Sequence, residues 1–223
     1  KLVKFTELDT FPNVFQNLSF ERPVLVSAAK EEIDLKGKWN SNVFKNDNPI
    51  TLELACGRGE YTISLARKYP ERNFIGVDIK GNRMYTGARA ALEEKLENVA
   101  FLRTDINLLS YFMAEGEISE IWIIYPDPRL KKSKAKQRLT SSRFLNLYGK
   151  ICKPGSIIQL KTDDPTLFEF TMETLEQEKC TVLWSGDDIY ASELIIPELA
   201  IETYYEGLHL EKGRKIKYVR FTL

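Results

Sequence analysis

The sequence predicts an α/β protein with a mostly parallel β-sheet that helices cover on both faces. Short apolar, β-branched runs alternate along the chain with longer helical patterns, and Gly or Pro marks most of the boundaries. The predicted strands are 50–55, 73–78, 99–104, 121–125, 156–161, 180–185 and 215–223, and the predicted helices are 59–69, 80–96, 139–152 and 164–179. Because ligands of such sheets bind beyond the carboxyl ends of the strands, the loops that follow the strands are the first place to look for chemistry.

Length and composition suit a single folded domain with a full-sized core. The chain has 223 residues, of which 43% are hydrophobic and 29% charged. Basic and acidic residues number 32 each, so the net charge identifies no partner, although a neutral total can hide a basic face. No apolar run is long enough for a membrane span, and the first residues lack the apolar segment of a signal peptide. We therefore expect a cytoplasmic protein, and the missing initiator Met suggests that a few native residues precede Lys1.

Cysteine and histidine usage excludes several kinds of chemistry. Cys56, Cys152 and Cys180 are too few and too scattered for a disulfide framework or a zinc site. The single histidine, His209, excludes most metal sites and catalytic triads that depend on histidine. We expect no metal.

Residues 1–49 differ from the rest of the chain. They hold aromatic-rich pieces, a charged stretch at 30–32 and Trp39, with no regular alternation of strand and helix. We expect an N-terminal extension packed on a core domain that comprises residues 50–223.

The loop after the first predicted strand of the core has features of a nucleoside site. Gly57 and Gly59 follow that strand closely, and glycines there allow a tight turn and close approach of a ligand. Asp78 ends the next strand, 21 residues after Gly57, where an acidic side chain meets a ribose diol in this kind of fold. The structural alternative is that Asp78 only caps the following helix.

The cofactor suggested by this loop is S-adenosylmethionine rather than a dinucleotide. A dinucleotide fingerprint needs a small third residue at position 62, which is Thr62 here. S-adenosylmethionine has no phosphate, but its sulfonium needs anionic or dipolar neighbours, which Glu53 can supply. An ion pair is the structural alternative for Glu53. Asp105 is a candidate acceptor for an adenine amine, or else the N-cap of a helix that starts at Ile106.

The loop after the fourth predicted strand is the most informative stretch. Pro126 and Pro128 flank Asp127 and hold its carboxylate on a stiff turn. Between positions 129 and 143 there are seven basic residues and no acidic one: Arg129, Lys131, Lys132, Lys134, Lys136, Arg138 and Arg143. Such a run is often only a solvated surface. Its place beside the expected active site instead favours binding of phosphates.

Taken together, these motifs resemble those of the bacterial tRNA (guanine-N7)-methyltransferases. Five segments match in order over about residues 50–223. They are LELACGRGE at 52–60, Gly76-Val-Asp78, Tyr125-Pro-Asp-Pro with Lys131, Lys161-Thr-Asp163, and Thr203-Tyr-Tyr-Glu206 followed by Gly213. The resemblance implies a class I methyltransferase fold, a Rossmann-like three-layer sandwich with a seven-stranded sheet whose last strand is antiparallel to the others.

The resemblance also implies roles for individual residues. Asp127 would be the catalytic carboxylate, and the residues around the cofactor would be Glu53, Gly57, Gly59, Asp78, Asp105 and Asp127. Substrate contacts would be Lys131, Asp163, Thr203 and Glu206. The backbone of the partner, tRNA, would be bound by Arg129, Lys132, Lys134, Lys136 and Arg138, with further basic residues at 212–217. The variable-loop guanosine is the expected target, and the expected oligomeric state is a monomer or a homodimer.

The chain also departs from the family pattern. Arg129 stands where the family has Trp after Pro-Asp-Pro, and Cys56 replaces a bulkier aromatic residue. The residue that stacks on the base is therefore left open, although a planar guanidinium such as that of Arg129 can stack. Either Asp163 or Glu206 could accept hydrogen bonds from the guanine edge.

Three other functions compete with this interpretation. A methyltransferase that acts on an amine of another RNA or of a protein is disfavoured because the Asn/Asp-Pro-Pro-aromatic motif is absent. A nicotinamide-dependent oxidoreductase is disfavoured by Thr62 and by the basic loop. A catalytically silent RNA-binding module would have no reason to keep Glu53, Asp78 and Asp127 together.

Overall fold

A ten-stranded sheet forms the centre of the computed structural model, which describes residues 2–17, 19–191 and 193–223. The strands are β1 (Val14–Gln16), β2 (Leu25–Val26), β3 (Glu32–Ile33), β4 (Ile50–Leu54), β5 (Asn73–Asp78), β6 (Val99–Arg103), β7 (Ile118–Ile124), β8 (Cys152–Thr162), β9 (Thr181–Gly186) and β10 (Lys217–Thr222). Their order across the sheet is β3-β2-β1-β6-β5-β4-β7-β8-β10-β9.

Seven of these strands correspond to the predicted ones. Strands β4 to β8 run parallel, and β10 is antiparallel to both β8 and β9. The last strand is thus inserted antiparallel near one edge, as predicted. The predicted number of strands is wrong, because β1, β2 and β3 extend the sheet beyond β6. Strand β1 pairs in parallel with β6, and β2 and β3 follow it antiparallel.

Helices lie on both sides of the sheet. They are α1 (Leu2–Leu8), α2 (Glu60–Lys68), α3 (Gly81–Glu93), α4 (Leu109–Phe112), α5 (Ser142–Ile151), α6 (Pro165–Gln177) and α7 (Tyr204–Glu211). Short 3₁₀ turns occur at Ile106–Leu108, Lys132–Gln137 and Pro197–Ala200, and a π-helical turn at Trp39–Phe44.

Two apolar clusters, one on each face, bury the sheet. One cluster joins α4, α5 and α6 to the sheet through Leu109, Phe144 and Leu167. The other joins α2 and α3 to the opposite face, with Ile63 and Met84 at its centre. Continuous burial of β4 and β5 on both faces explains why their sequences are apolar throughout rather than alternating.

Among the described residues, no helix has the length and apolar character needed to cross a membrane.

Candidate active site

A cleft of about 450 Å³ opens where the parallel strands end. It lies beyond the carboxyl ends of β4, β5, β6 and β7, the position at which ligands bind in sheets of this kind. Its lining is rich in charge: Asp78, Lys80, Arg83, Asp105, Asp127, Arg129 and Arg143 all contribute. Four sequence-predicted site residues, Asp78, Asp105, Asp127 and Arg129, therefore meet in one cavity.

Asp78 connects the two loops that follow β4 and β5. Its Oδ2 accepts a hydrogen bond from the Gly57 amide at 2.9 Å, and its Oδ1 accepts one from the Lys80 amide at 2.8 Å. The capping alternative is therefore partly realised, since the carboxylate organises the start of α3, yet it also lines the cleft. Gly57 adopts a φ of 55°, which a residue with a Cβ rarely tolerates.

Gly59 has a structural reason to be glycine. A Cβ there would lie 2.6 Å from the Phe101 ring, and its φ of 72° is left-handed. It does not line the cleft. The predicted contact of Gly57 and Gly59 with a cofactor remains a prediction.

Glu53 lies behind the cleft wall rather than on it. Its Oε2 accepts hydrogen bonds from the amide (2.7 Å) and the hydroxyl of Thr62 on α2. Burial raises the pKa of this carboxyl to about 8, although the two hydrogen bonds oppose the shift. No ion pair among the described residues includes Glu53, so the ion-pair alternative is wrong. A carboxyl whose charged form is disfavoured by burial is also a weaker counter-charge for a cation.

Asp105 and Asp127 reach the cleft from the loops after β6 and β7. The N-cap alternative for Asp105 is confirmed: its Oδ1 accepts from the Asn107 amide at 2.8 Å at the start of a 3₁₀ turn. Asp127 accepts from the Arg129 amide at 3.0 Å, and its side chain is 63% exposed. The Arg129 guanidinium lies 3.4 Å from Asp127, so one cation already neighbours the predicted catalytic carboxylate.

Strained backbone accompanies the same loops. Ala55, Tyr125 and Arg129 have φ values of 57°, 45° and 48°, in the left-handed region that non-glycine residues avoid. All three line the cleft. Such residues cost on the order of 1–3 kcal/mol each and concentrate at functional sites, which supports the cleft as the active site.

Arg138 is buried and supports the Asp127 loop, contrary to its predicted role at phosphates. Its side chain donates to the Pro128 carbonyl at 3.0 Å and to the Arg129 carbonyl at 3.3 Å. Its guanidinium also packs over the Phe170 ring at 4.4 Å. With 6% of its surface exposed, the residue has no room for a phosphate and instead fixes the loop's shape.

The lysines of the same segment are exposed. Lys131 precedes the 3₁₀ turn Lys132–Gln137, and the side chains of Lys131, Lys132, Lys134 and Lys136 all face solvent. None of the four lines the cleft, although Gln137 at the end of the turn does. The turn therefore presents lysines beside the mouth of the cleft.

Of the four residues predicted to bind the substrate, Asp163, Thr203 and Glu206 lie around the end of β8 and the start of α7, apart from Lys131. Asp163 accepts from Arg214 and lies 3.2 Å from Nδ1 of His209. Thr203 caps α7, since its hydroxyl accepts from the Glu206 amide at 3.3 Å. The His209 ring packs on Tyr125 of the cleft, with 5.5 Å between the ring centroids, so this cluster adjoins the cleft.

Glu206 does not have the geometry predicted for binding the guanine edge. Its carboxylate is fully buried, 2.6 Å from the Lys161 ammonium, and it also accepts from the Tyr190 hydroxyl at 2.6 Å. Both partners occupy acceptor sites that a base would need. Of the two residues left open by the sequence, only Asp163 borders solvent, with 11% of its side chain exposed.

Several cleft residues escaped prediction. Lys80, Arg83 and Asn107 line the cavity but belong to no motif. Lys80 and Arg83 lie in the first turn after Asp78, and their closeness to that carboxylate is the signal that could have identified them. The strained backbone of Ala55 leaves no mark in the sequence.

The donor set of the cleft fits a cationic nucleoside. Asp78, Asp105 and Asp127 offer acceptors for hydroxyl and amine groups and negative charge for a cation. In the described part of the chain no group of three or more His, Cys, Asp or Glu residues could hold a metal ion.

Comparison with known proteins agrees with this geometry. Residues 47–219 match a family model described as "Putative methyltransferase". The chain is 46% identical to the tRNA (guanine-N(7)-)-methyltransferase of Christiangramia forsetii, over 100% of this chain and 97% of the relative. It is 49% identical to the protein of the same name from Porphyromonas gingivalis, over 97% of this chain and 86% of the relative.

Solved structures show the same fold. The 16S rRNA methyltransferase KamB superimposes with a TM-score of 0.65 at 15% identity, over 87% of this chain and 96% of that one. The 16S rRNA (adenine(1408)-N(1))-methyltransferase of Catenulisporales acidiphilia gives 0.60 at 17% identity, over 86% and 95%. At such low identity these likenesses concern the fold alone. The matches to the family model and to full-length relatives go further, and the chain belongs to the bacterial tRNA (guanine-N7)-methyltransferases, as an S-adenosylmethionine-dependent methyltransferase of class I fold.

Proposed function

We propose that the protein transfers a methyl group from S-adenosylmethionine to N7 of a guanosine in tRNA, with the variable-loop guanosine as the expected target. One observation carries the proposal: Asp78, Asp105 and Asp127, at the carboxyl ends of β5, β6 and β7, line a single cleft beside an exposed row of lysines. The relatives named above act, by their names, on the same atom of tRNA. Bacterial tRNA matures in the cytoplasm, which is the compartment we expect.

The carboxylates of the cleft suit different parts of the cofactor. Asp78 at the end of β5 would accept from a ribose diol, and Asp105 after β6 from an adenine amine. S-adenosylmethionine supplies a methyl group already activated by a sulfonium. Asp127, with most of its side chain exposed at the cleft, is placed to face the charge that moves during transfer.

The reaction needs no general base, in agreement with a cleft whose lining, among the described residues, includes no histidine. Guanine N7 carries an in-plane lone pair and no proton. The lone pair forms the new N–C bond while the electrons of the C–S bond return to sulfur, so positive charge passes from sulfur to the purine. Asp127 stabilises that charge, and the rigid loop around it holds the reactants in line.

Binding of tRNA would combine two regions. The lysines at 131–136 contact phosphates near the cleft, and each contact adds to the salt dependence of binding. Asp163 accepts from N1–H and the exocyclic amine of guanine, once its present partners release one of its oxygens. That exchange requires Arg214 to move toward the RNA backbone.

The direct test is transfer of labelled methyl from S-adenosylmethionine to unmodified tRNA, followed by reduction and aniline cleavage, which cuts at 7-methylguanosine. We expect label in the tRNA and one cleavage site. Asp127→Asn should lower kcat by roughly 10²-fold, typical for loss of one charge-stabilising group. Asp47→Asn is the control: it removes a carboxylate that precedes the amino end of β4, at the opposite end of the strand from the cleft. It should not change the rate.

Two other results are informative. Label without cleavage would retain a methyltransferase and reject N7 as the target. If no label appears although S-adenosylmethionine binds, the proposed acceptor is wrong.

A further inference from the structure

An exposed group of rings and charges lies beside the cleft, outside the residues assigned so far. Tyr204 and Tyr205, the first two residues of α7, are 51% and 38% exposed, and their rings meet edge to face at 5.6 Å. The guanidinium of Arg58, in the loop after β4, lies over the Tyr204 ring at 4.5 Å. We call these three residues the aromatic platform.

Hydrogen bonds and an ion pair hold the aromatic platform in position. Glu60, in the first turn of α2, accepts from the Tyr204 amide at 3.0 Å through Oε2, and its Oε1 lies 3.9 Å from Arg58. One carboxylate thus joins the start of α7 to the loop that carries Arg58. Thr203 caps the same helix, so the Tyr204 backbone is fixed from two directions. The rings are exposed although their backbone is held firmly.

The aromatic platform lies close to the cleft. Arg58 directly follows Gly57, whose amide binds Asp78 on the cleft wall. At the other end of α7, His209 packs on Tyr125, which also lines the cleft. Tyr204 and His209 are five residues apart, about 7.5 Å along the helix axis. The platform therefore lies beside the cleft, within reach of a nucleotide next to one bound in it.

We propose that the aromatic platform stacks an unpaired nucleobase adjoining the guanosine that is methylated. This inference rests on the proposed function. Exposed rings beside a guanidinium offer stacking that tolerates any base, and the positive charge of Arg58 suits the adjacent phosphate. Exposed basic residues at the other end of α7, Lys212, Arg214 and Lys215, continue this surface along the RNA backbone.

The first test uses steady-state methyl transfer to tRNA. Tyr204→Ala should raise KM for tRNA about tenfold, as expected when one base–aromatic stack is lost, with little change in kcat. Tyr204→Phe keeps the ring and should behave as the unchanged protein. Tyr111→Ala removes an equally exposed tyrosine from α4, which packs on α5, and serves as the matched control. An unchanged KM in Tyr204→Ala would overturn the proposal.

The second test is independent of catalysis. A single-stranded RNA with 2-aminopurine next to a guanosine should lose fluorescence on binding to the unchanged protein, because stacking quenches this base. Tyr204→Ala should restore the fluorescence at saturating protein, whereas Tyr204→Phe should not. Quenching that persists in Tyr204→Ala, or that never occurs, would reject the platform as a base-stacking site.

The two tests separate the hypotheses. If the unchanged protein fails to methylate tRNA but the quenching depends on Tyr204, the proposed function fails and the platform is retained. If methylation occurs but neither readout responds to Tyr204, the platform fails alone.

Discussion

The ammonium of Lys161 and the carboxylate of Glu206 lie 2.6 Å apart with neither side chain exposed to solvent. Lys161 also donates to the carbonyls of Leu199 at 3.0 Å and Ile201 at 3.2 Å. Burial lowers the pKa of Lys161, whereas the nearby Glu206 opposes that shift. A central strand of the sheet is thus joined to the segment that leads into α7.

Breaking this pair should destabilise the protein strongly. We expect Glu206→Gln to lower the free energy of unfolding by about 3–5 kcal/mol, because it leaves a buried ammonium without its counter-charge. The double replacement Lys161→Met with Glu206→Gln should recover part of this loss. Urea unfolding of the single and double variants measures both effects. Equal stability of Glu206→Gln and the unchanged protein would contradict a structural role for the pair.

The stability should also depend on the titration of Glu53. Its pKa is raised from 4.5 to about 8, so the folded state keeps the proton after the unfolded chain has lost it. The contribution of the Glu53 carboxyl to the free energy of unfolding is fully present below pH 4.5. It is lost as pH rises toward 8, by up to about 5 kcal/mol. Glu53→Gln keeps an acceptor for Thr62 but cannot ionise.

The measurement for Glu53 is urea unfolding of both proteins between pH 5 and pH 8, without S-adenosylmethionine. As pH rises, we expect the free energy of unfolding of the unchanged protein to fall relative to that of Glu53→Gln. Parallel pH profiles for the two proteins would show that Glu53 is already ionised in the folded state.

Arg138 should act on catalysis through the shape of the Asp127 loop. Arg138→Lys keeps the charge but loses the planar donors that hold the carbonyls of Pro128 and Arg129. We expect kcat for methyl transfer to fall about tenfold or more while the Kd for tRNA stays within twofold. A phosphate-binding role would produce the reverse, with a weaker Kd, a smaller salt slope and an unchanged kcat.

The exposed lysines should affect the binding of tRNA. Replacing Lys132, Lys134 and Lys136 together by Ala should weaken tRNA binding and reduce the slope of log K against log salt by about 2–3. Binding of S-adenosylmethionine should not change. The matched control replaces Lys68, Lys150 and Lys153 by Ala. These three exposed lysines lie near the amino ends of the strands, far from the cleft. The same tRNA affinity and salt slope in both triple variants would exclude this turn from the RNA interface.

The sequence predicted what depends on local pattern. The succession of β4 to β10 along the chain follows from apolar runs and the helical stretches between them, whereas the antiparallel direction of β10 was implied by the family resemblance. Asp78, Asp105 and Asp127 were found because they lie at or just after the ends of such runs. Strands β1 to β3 were missed because two of them have only two residues, too few to show alternation. The pairing of Lys161 with Glu206 was missed because it joins positions 45 residues apart, and no local pattern reveals such a contact.

Arg138 shows a second limit of prediction from the sequence. A basic residue inside a basic run looks like its neighbours in the sequence, yet Arg138 is buried and the lysines are exposed. The difference arises from Phe170 on α6, which lies under its guanidinium and is 32 residues away in the chain. Only the packing of α6 against the loop separates a structural arginine from an RNA-binding lysine.

Strand β1 has a practical consequence for anyone who wishes to shorten the protein. The Phe101 amide donates to Asn13 at 2.8 Å and the Asn17 amide donates to Arg103 at 2.9 Å, so β6 depends on this strand for its outer row of hydrogen bonds. A fragment that begins at residue 47, where the family match begins, would present β6 as a bare apolar edge. Such edges recruit further copies, and the fragment would form insoluble aggregates. The smallest fragment suitable for expression therefore includes the first three strands, although none of them touches the chemistry.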